Sequence, residues 1–266
     1  MNSIINLLKE KNIVCPKCHG YQFEQIGTIK NGSCICESCR SEYRVMDGIP
    51  LMIVDSINKK NIQDFWGELY NAAYKEHHKI DENVFDKELS ELKKLFVYRK
   101  HLAAIEMPID SLVGKKILEI GPGAGAHSAL FNFLGAEVTA IDITLNRVIS
   151  TSKKLNMLKN SPASFALQAD AEKIPFPKDT FDIVYSNGVL HHTDDTQKAL
   201  NEVLRVLKPG GKALIMLYCK DSYLYWVNLF LLKGILLGNI FKGENWLGRV
   251  TEWMSAEKQK IYNPIT

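Results

Sequence analysis

Between residues 116 and 218 the chain alternates short apolar runs with helical stretches, and this alternation confines it to one broad architecture. The runs lie at 116–120, 137–141, 164–168, 181–186 and 213–218, and each has strand length. Strands separated by helices pair in parallel, because each crossover returns the chain to the same end of the sheet. The expected fold class is therefore α/β, a doubly wound and mostly parallel sheet. Such sheets bind ligands beyond the carboxyl ends of their strands, so the candidate site residues are those that follow each run.

The first run continues into Glu119-Ile120-Gly121-Pro122-Gly123-Ala124-Gly125. Glycines here permit a tight turn and a close backbone approach to a ligand, and the helix that follows offers its first amides. The loop by itself admits two readings. Gly121, Gly123 and Ala126 satisfy the looser GxGxxG/A pattern of dinucleotide sites, and Asp142 stands at the distance expected of a ribose-binding acid in either case. Four ordered segments together resemble one family, the class I S-adenosylmethionine-dependent methyltransferases of type 11-like sequence. Glu119 to Gly125 resembles that family's ExGxGxG motif. Asp170-Ala-Glu-Lys-Ile-Pro-Phe-Pro177 and Phe181-Asp-Ile-Val-Tyr-Ser-Asn187 resemble its third and fourth strand ends, and Glu202 to Gly211 resembles the helix and turn before its fifth strand. The resemblance implies a Rossmann-like sheet with S-adenosyl-L-methionine as cofactor. It assigns Glu119, Gly121, Pro122, Gly123 and Gly125 to the methionine part. Asp142, with Ile143 beside it, falls to the ribose hydroxyls, and Asp170 with Ala171 to the adenine edge.

A sulfonium methyl group is already activated by its charge, so such an enzyme mainly aligns a nucleophile and, where needed, removes its proton. Candidates for that work are Asn187, His191 and His192, just past the fourth run. Histidine titrates in the useful range. Many O-methyltransferases that this segment resembles use a histidine near this point as general base, whereas in other relatives it packs against the cofactor or a helix start. Asn187 likewise lines the pocket or caps the turn, and Asp194 is read as a helix N-cap.

Five of the six cysteines fall between Cys15 and Cys39, a clustering that favours metal binding over disulfides in a reducing compartment. Cys15-Pro16-Lys17-Cys18 and Cys36-Glu37-Ser38-Cys39 form two CxxC pairs separated by residues 19–35. Four thiolates at this spacing suit a structural, tetrahedral Zn²⁺ with no open position for catalysis, and a segment this short lacks a core to fold without it. Rubredoxin-like iron and a metal-free ribbon are the alternatives. Cys34 is read as a spare thiol, with an exchange for Cys36 left open by the spacing. Together with Tyr43-Arg-Val-Met-Asp and a Gly-Ile-Pro turn, the stretch from Val14 to Met52 resembles the Trm112-like zinc ribbon, which occurs alone as a methyltransferase partner and also fused to methyltransferases.

The expected organisation is a zinc ribbon at 1–54, a linker at 55–61, a helical cap over the active site at 62–110 and a methyltransferase domain at 111–266. In the cap, Trp66, Tyr70, Tyr74, His77 and His78 are read either as pocket residues or, more commonly for aromatics, as core. Residues 223–241 form an apolar helix interrupted by Asn228, Lys233, Gly234, Gly238 and Asn239, a poor membrane span suited to core, to an acceptor lid or to peripheral membrane contact. No alternating strand pair follows it. The antiparallel hairpin that normally completes the family's sheet is thus expected to be missing, as in a truncated or natural short form. The fifth strand would then be an edge, covered by residues 222–260 or paired in a dimer. The expected function is methyl transfer to a small or hydrophobic acceptor, such as a lipid or quinone, at oxygen. Alternatives are an RNA or protein methyltransferase that uses the ribbon for recognition, and a non-catalytic cofactor-binding regulatory subunit, against which the intact glycine loop and Asp142 argue. A net charge of +3 neither demands nor excludes a nucleic-acid partner, and no stable one is favoured. The first ten residues lack a cleavage-site pattern, which points to a cytoplasmic protein.

Overall fold

The computed structural model describes residues 3–54, 59–73, 82–97, 111–158, 162–217, 219 and 222–242. Helix α1 (Ile4–Glu10) precedes strands β1 (Phe23–Gly27), β2 (Asn31–Cys36), β3 (Glu42–Met46) and β4 (Ile49–Met52). Helices α2 (Lys60–Ala73) and α3 (Glu82–Val97) follow. The chain then alternates β5 (Lys116–Ile120), α4 (Ala126–Phe133), β6 (Glu137–Asp142), α5 (Leu145–Met157), β7 (Phe165–Ala169), β8 (Phe181–Asn187), α6 (Thr196–Val206) and β9 (Leu207–Met216). All nine strands belong to one sheet of order β1-β2-β3-β4-β7-β6-β5-β8-β9.

Strands β5 to β9 pair in parallel, as the alternation predicts. Successive strand side chains point to opposite faces, and β5 shows the consequence. Leu118 and Ile120 pack with Ala199, Val203 and Val206 of α6, while Ile117 packs with Ala129, Leu130 and Phe131 of α4 and Phe85, Leu89 and Phe96 of α3. Both faces are packed, and β5 is apolar except at Lys116 and Glu119. A buried ion pair, Lys154 Nζ to Glu88 Oε2 at 2.8 Å, ties α3 to α5. Because β6 lies to one side of β5 and β8 to the other, the loop after β5 opens at the point where the winding reverses.

The N-terminal strands are joined to this sheet directly. β4 runs parallel to β7, with Leu51 opposite Gln168 and Met52 opposite Ala169. Ile4, Leu8, Tyr43 and Met52 share a single core with Leu118, Ile120, Leu167 and Val203. The backbone amide of Val14 also donates to the carbonyl of Pro175 at 3.0 Å. Without β4, β7 would present an unpaired edge; β4 removes it.

Several local expectations need correction. The turn between β3 and β4 is Asp47-Gly48, both at positive φ, whereas Ile49 and Pro50 already belong to β4. Pro50 is tolerated there because the strand is short and bears one β3 contact at that position. The fifth strand of the parallel set starts at Leu207, not Ala213, since Leu207 pairs with Phe181 ahead of a register break that accommodates the glycine turn. Helix α2 begins at Lys60, inside the stretch expected as linker, and Lys59 before it is buried. The apolar segment winds as a π-helix over Leu224–Leu236 followed by a short 3₁₀ turn, Asn239–Lys242. Its densest described packing is against that turn, and residues 243–260 of the segment expected to cover the β9 edge lie outside the described residues. Among the described residues no strand follows β9 and no helix is long and apolar enough to cross a membrane.

Candidate functional site

The carboxyl ends of β5, β6, β7 and β8 surround one cleft, lined by Gly121, Asp142, Ile143, Asp170, Ala171 and His192 among others. The loop after β5 needs its glycines for definite reasons. At Gly121, φ is +73° and a Cβ would sit 2.3 Å from a methyl of Val189; at Gly125, φ is +82° and a Cβ would sit 2.7 Å from the backbone of Thr151. Both conditions exclude a side chain. The loop therefore packs closely against Val189 and Thr151, and Gly121 lines the cleft.

Asp142 ends β6. Its Oδ1 accepts from the amide and hydroxyl of Thr144 at 2.8 and 2.7 Å, which fixes the start of α5, while Oδ2 lies 3.9 Å from an Arg147 guanidinium nitrogen. Burial raises its pKa and Arg147 opposes that rise. A carboxylate held this way can accept from a pair of hydroxyl groups on its cleft side. Asp170 directly follows β7, with Oδ1 accepting from the Glu172 amide at 2.9 Å. Burial also raises its pKa, against the pull of its hydrogen bonds and of Lys59.

A second centre lies in the N-terminal strands. The sulfur atoms of Cys15, Cys18, Cys36 and Cys39 all fall within 4.8 Å of one another, with Cys15 to Cys39 at 3.5 Å and Cys18 to Cys36 at 3.6 Å. Four sulfurs about 2.3 Å from a Zn²⁺ would be separated by roughly 3.8 Å, so the donor set fits that ion. The Tyr43 hydroxyl lies 3.2 Å from Cys15 Sγ, placed to donate to a thiolate. Cys34 stands outside the group and is wholly buried in the shared core, where burial pushes its thiol up to about 12. It packs in that core outside the four-sulfur group, in keeping with the reading of a thiol that is not a ligand.

Residues 118–215 match the family described as a methyltransferase domain. The demethylmenaquinone methyltransferase of Streptomyces avermitilis is 35% identical over 130 residues, covering 49% of this chain and 51% of that protein. The phosphoethanolamine N-methyltransferase 2 of Caenorhabditis elegans is 32% identical over 124 residues, covering 46% of this chain and 28% of that one. Among solved structures, YcgJ of Bacillus subtilis shares 35% identity over 39% of this chain and 44% of its own, with a TM-score of 0.37. The chain spans about half or less of the length of the curated relatives it matches.

Within and around the matched segment, the predicted residues separate into two groups. Gly121, Asp142, Ile143, Asp170, Ala171 and His192 line the cleft. Glu119, Pro122, Gly123, Gly125, Asn187 and His191 are not among its lining residues. Glu119 is 2% exposed and accepts a short hydrogen bond from Ser128 of α4, with His127 Nδ1 3.8 Å away. Its carboxyl group thus braces the glycine loop against α4. His192 packs its ring 4.7 Å from Trp66, and burial chiefly, with His191 and Arg147 adding, lowers its pKa to about 3. Asp195, not Asp194, caps α6, accepting from the Lys198 amide at 2.9 Å. The Asp194 carboxylate is engaged by Lys59 instead.

Sequence reasoning missed Lys59 and Arg147 as lining residues and left Trp66 between pocket and core. Trp66 is among the residues that line the cleft, with the Arg147 guanidinium 5.3 Å from its ring centroid. Tyr70 lies in α2 with its side chain outside the described residues, as are Tyr74, His77 and His78 entirely. For Lys59 and Arg147 no local signal existed, since neither occupies a motif.

Proposed function

We propose that this chain transfers a methyl group from S-adenosylmethionine to a small or hydrophobic acceptor. The observation that carries the reading is the convergence of Gly121, Asp142 and Asp170, from three different strand ends, on one cleft. Asp142 would accept from the ribose hydroxyls, Asp170 from the adenine amine, and the loop backbone would approach the methionine part. The cofactor supplies an electrophilic methyl group on a positively charged sulfur. Relatives named as methyltransferases of demethylmenaquinone and of phosphoethanolamine support the reaction class.

His192 bears on the acceptor. An imidazole whose conjugate acid has a pKa near 3 is a weak base at neutral pH and gives little help in removing a proton. The acceptor in this reading arrives already nucleophilic, an ionised phenolic oxygen being the case that keeps the expectation of O-methylation. The four-cysteine group is assigned a structural Zn²⁺, supported by its sulfur geometry.

Calorimetry with S-adenosylhomocysteine tests the cofactor assignment. Asp142→Ala is expected to weaken binding by about 1–3 kcal/mol, the cost of losing a charged hydrogen-bond partner. Equal affinity in the variant would remove Asp142 from the site. Turnover with methyl-labelled cofactor, offered lipid, quinone and phenolic acceptors, tests the chemistry.

A further inference from the structure

Lys59 presents the amine that the motifs leave unexplained. Its Nζ lies 2.7 Å from Glu172 Oε1, 2.7 Å from Asp194 Oδ2 and 3.4 Å from Asp170 Oδ2, and its side chain is only 10% exposed. An ammonium carries three N–H donors, and three carboxylates meet them. The residue stands at the start of α2, where a positive charge opposes the helix dipole, so the helix itself gains nothing from it. Its burial is balanced only by those acids. Lysine at this position therefore serves the carboxylates, not the helix.

The same helix reaches the other side of the cleft. Trp66, further along α2, packs edge-on against His192, and Arg147, which approaches Asp142, lies over its ring. α2 is thus tied to both acids at the cleft, to Asp170 through Lys59 and toward Asp142 through Trp66 and Arg147. The elements that contribute are far apart in sequence, since Lys59 and Glu172 are 113 residues apart.

We propose that Lys59 is a positioning residue for the cofactor: it latches α2 over the adenosine half of the cleft and holds Asp170 ionised and oriented toward the adenine amine. This rests on the cofactor assignment above. The charged groups around Asp170 are Lys59, Glu172, Asp194 and Lys198, with Asp142, Arg147 and His192 across the cleft. Burial drives Asp170 toward its neutral form, and Lys59 is the cation that opposes this. Without the ammonium, Asp170 would take up a proton at higher pH and lose acceptor capacity there.

The test is calorimetry of S-adenosylhomocysteine with the full chain and with Lys59→Met and Lys59→Arg across a pH series. Lys59→Met is expected to bind at least about tenfold more weakly at neutral pH, with its acid-side loss of affinity moved to higher pH, and Lys59→Arg to recover most of the affinity. A merely structural lysine would lower thermal stability but leave the pH of that acid limb unchanged. Affinity within twofold of wild type, with the limb unmoved, overturns the latch while leaving the cofactor assignment standing. Wild type that does not bind at all overturns both. Should Lys59→Met fail to fold, hydrogen exchange on wild type decides: amides across residues 60–73 must slow when S-adenosylhomocysteine is added, and unchanged exchange there overturns the proposal.

Discussion

Glu119 carries a carboxyl group into the interior, between β5 and α4. Burial raises its pKa to about 7, the charge of Asp142 adds to the rise, and the hydrogen bond from Ser128 opposes it. The folded state therefore prefers the neutral acid. With a folded pKa above the ordinary 4.5, the stability associated with this group is fully present below that value and is lost as pH rises through about 7. The displacement corresponds to roughly 3 kcal/mol at alkaline pH. Glu119→Gln keeps the shape and an acceptor for Ser128 without the charge. It is expected to stabilise the cofactor-free protein by about 2–3 kcal/mol at pH 8 and to give no such gain at pH 4. Urea denaturation at the two pH values measures this, and an equal effect at both would show that ionisation is not what the site resists. The acid was legible as part of a motif; its place behind the loop was not, because a motif names a residue and not the face on which its side chain lies.

At the scale of elements, β2 sets two cysteines on one face, Cys34 and Cys36, two positions apart. Only the second reaches the other three sulfurs, because it ends the strand where the chain turns toward Cys39. Cys36→Ser is expected to abolish stoichiometric zinc, whereas Cys34→Ala retains it and lowers stability by about 1 kcal/mol through lost packing. Elemental analysis of both variants, purified without chelator, checks the pair; zinc lost from Cys34→Ala would reassign the ligands. Helix α2 teaches the same lesson from the other side. Its amphipathic pattern announces a helix, but the pattern does not say that the helix lies across strand ends nor that Lys59 at its start finds three acids.

For the whole molecule, the decisive contact is the pairing of β4 with β7. It makes the N-terminal strands and the parallel strands one sheet with a shared core, in which Met52 and Leu167 are both wholly buried. Two domains joined by a linker would unfold independently. A shared core instead couples them, since exposing either half uncovers apolar surface of the other at about 25 cal/mol per Å². Thermal unfolding of the full chain is expected to be a single transition, and removal of the metal by a chelator should lower the Tm of that whole transition. Calorimetry resolving a separate low-temperature event for the ribbon, with the parallel sheet unaffected, would show the halves to be independent.

The sequence alone determined the parallel sheet, the glycine loop, the acids at the ends of β6 and β7 and the two CxxC pairs whose four sulfurs meet. These depend on short-range features: strand length and alternation, the φ angles that only glycine adopts, and the spacing of two tight knuckles. A parallel sheet then brings its strand ends together without further instruction, so Asp142 and Asp170 share a cleft. The tertiary structure alone decided that β4 closes the edge of β7, that Cys34 is core, that His192 is buried against Trp66 and that Lys59, Trp66 and Arg147 line the cleft. Each of these depends on burial and on partners distant in sequence. The free energy that places them is a sum over the packed neighbours and is not encoded in any local pattern.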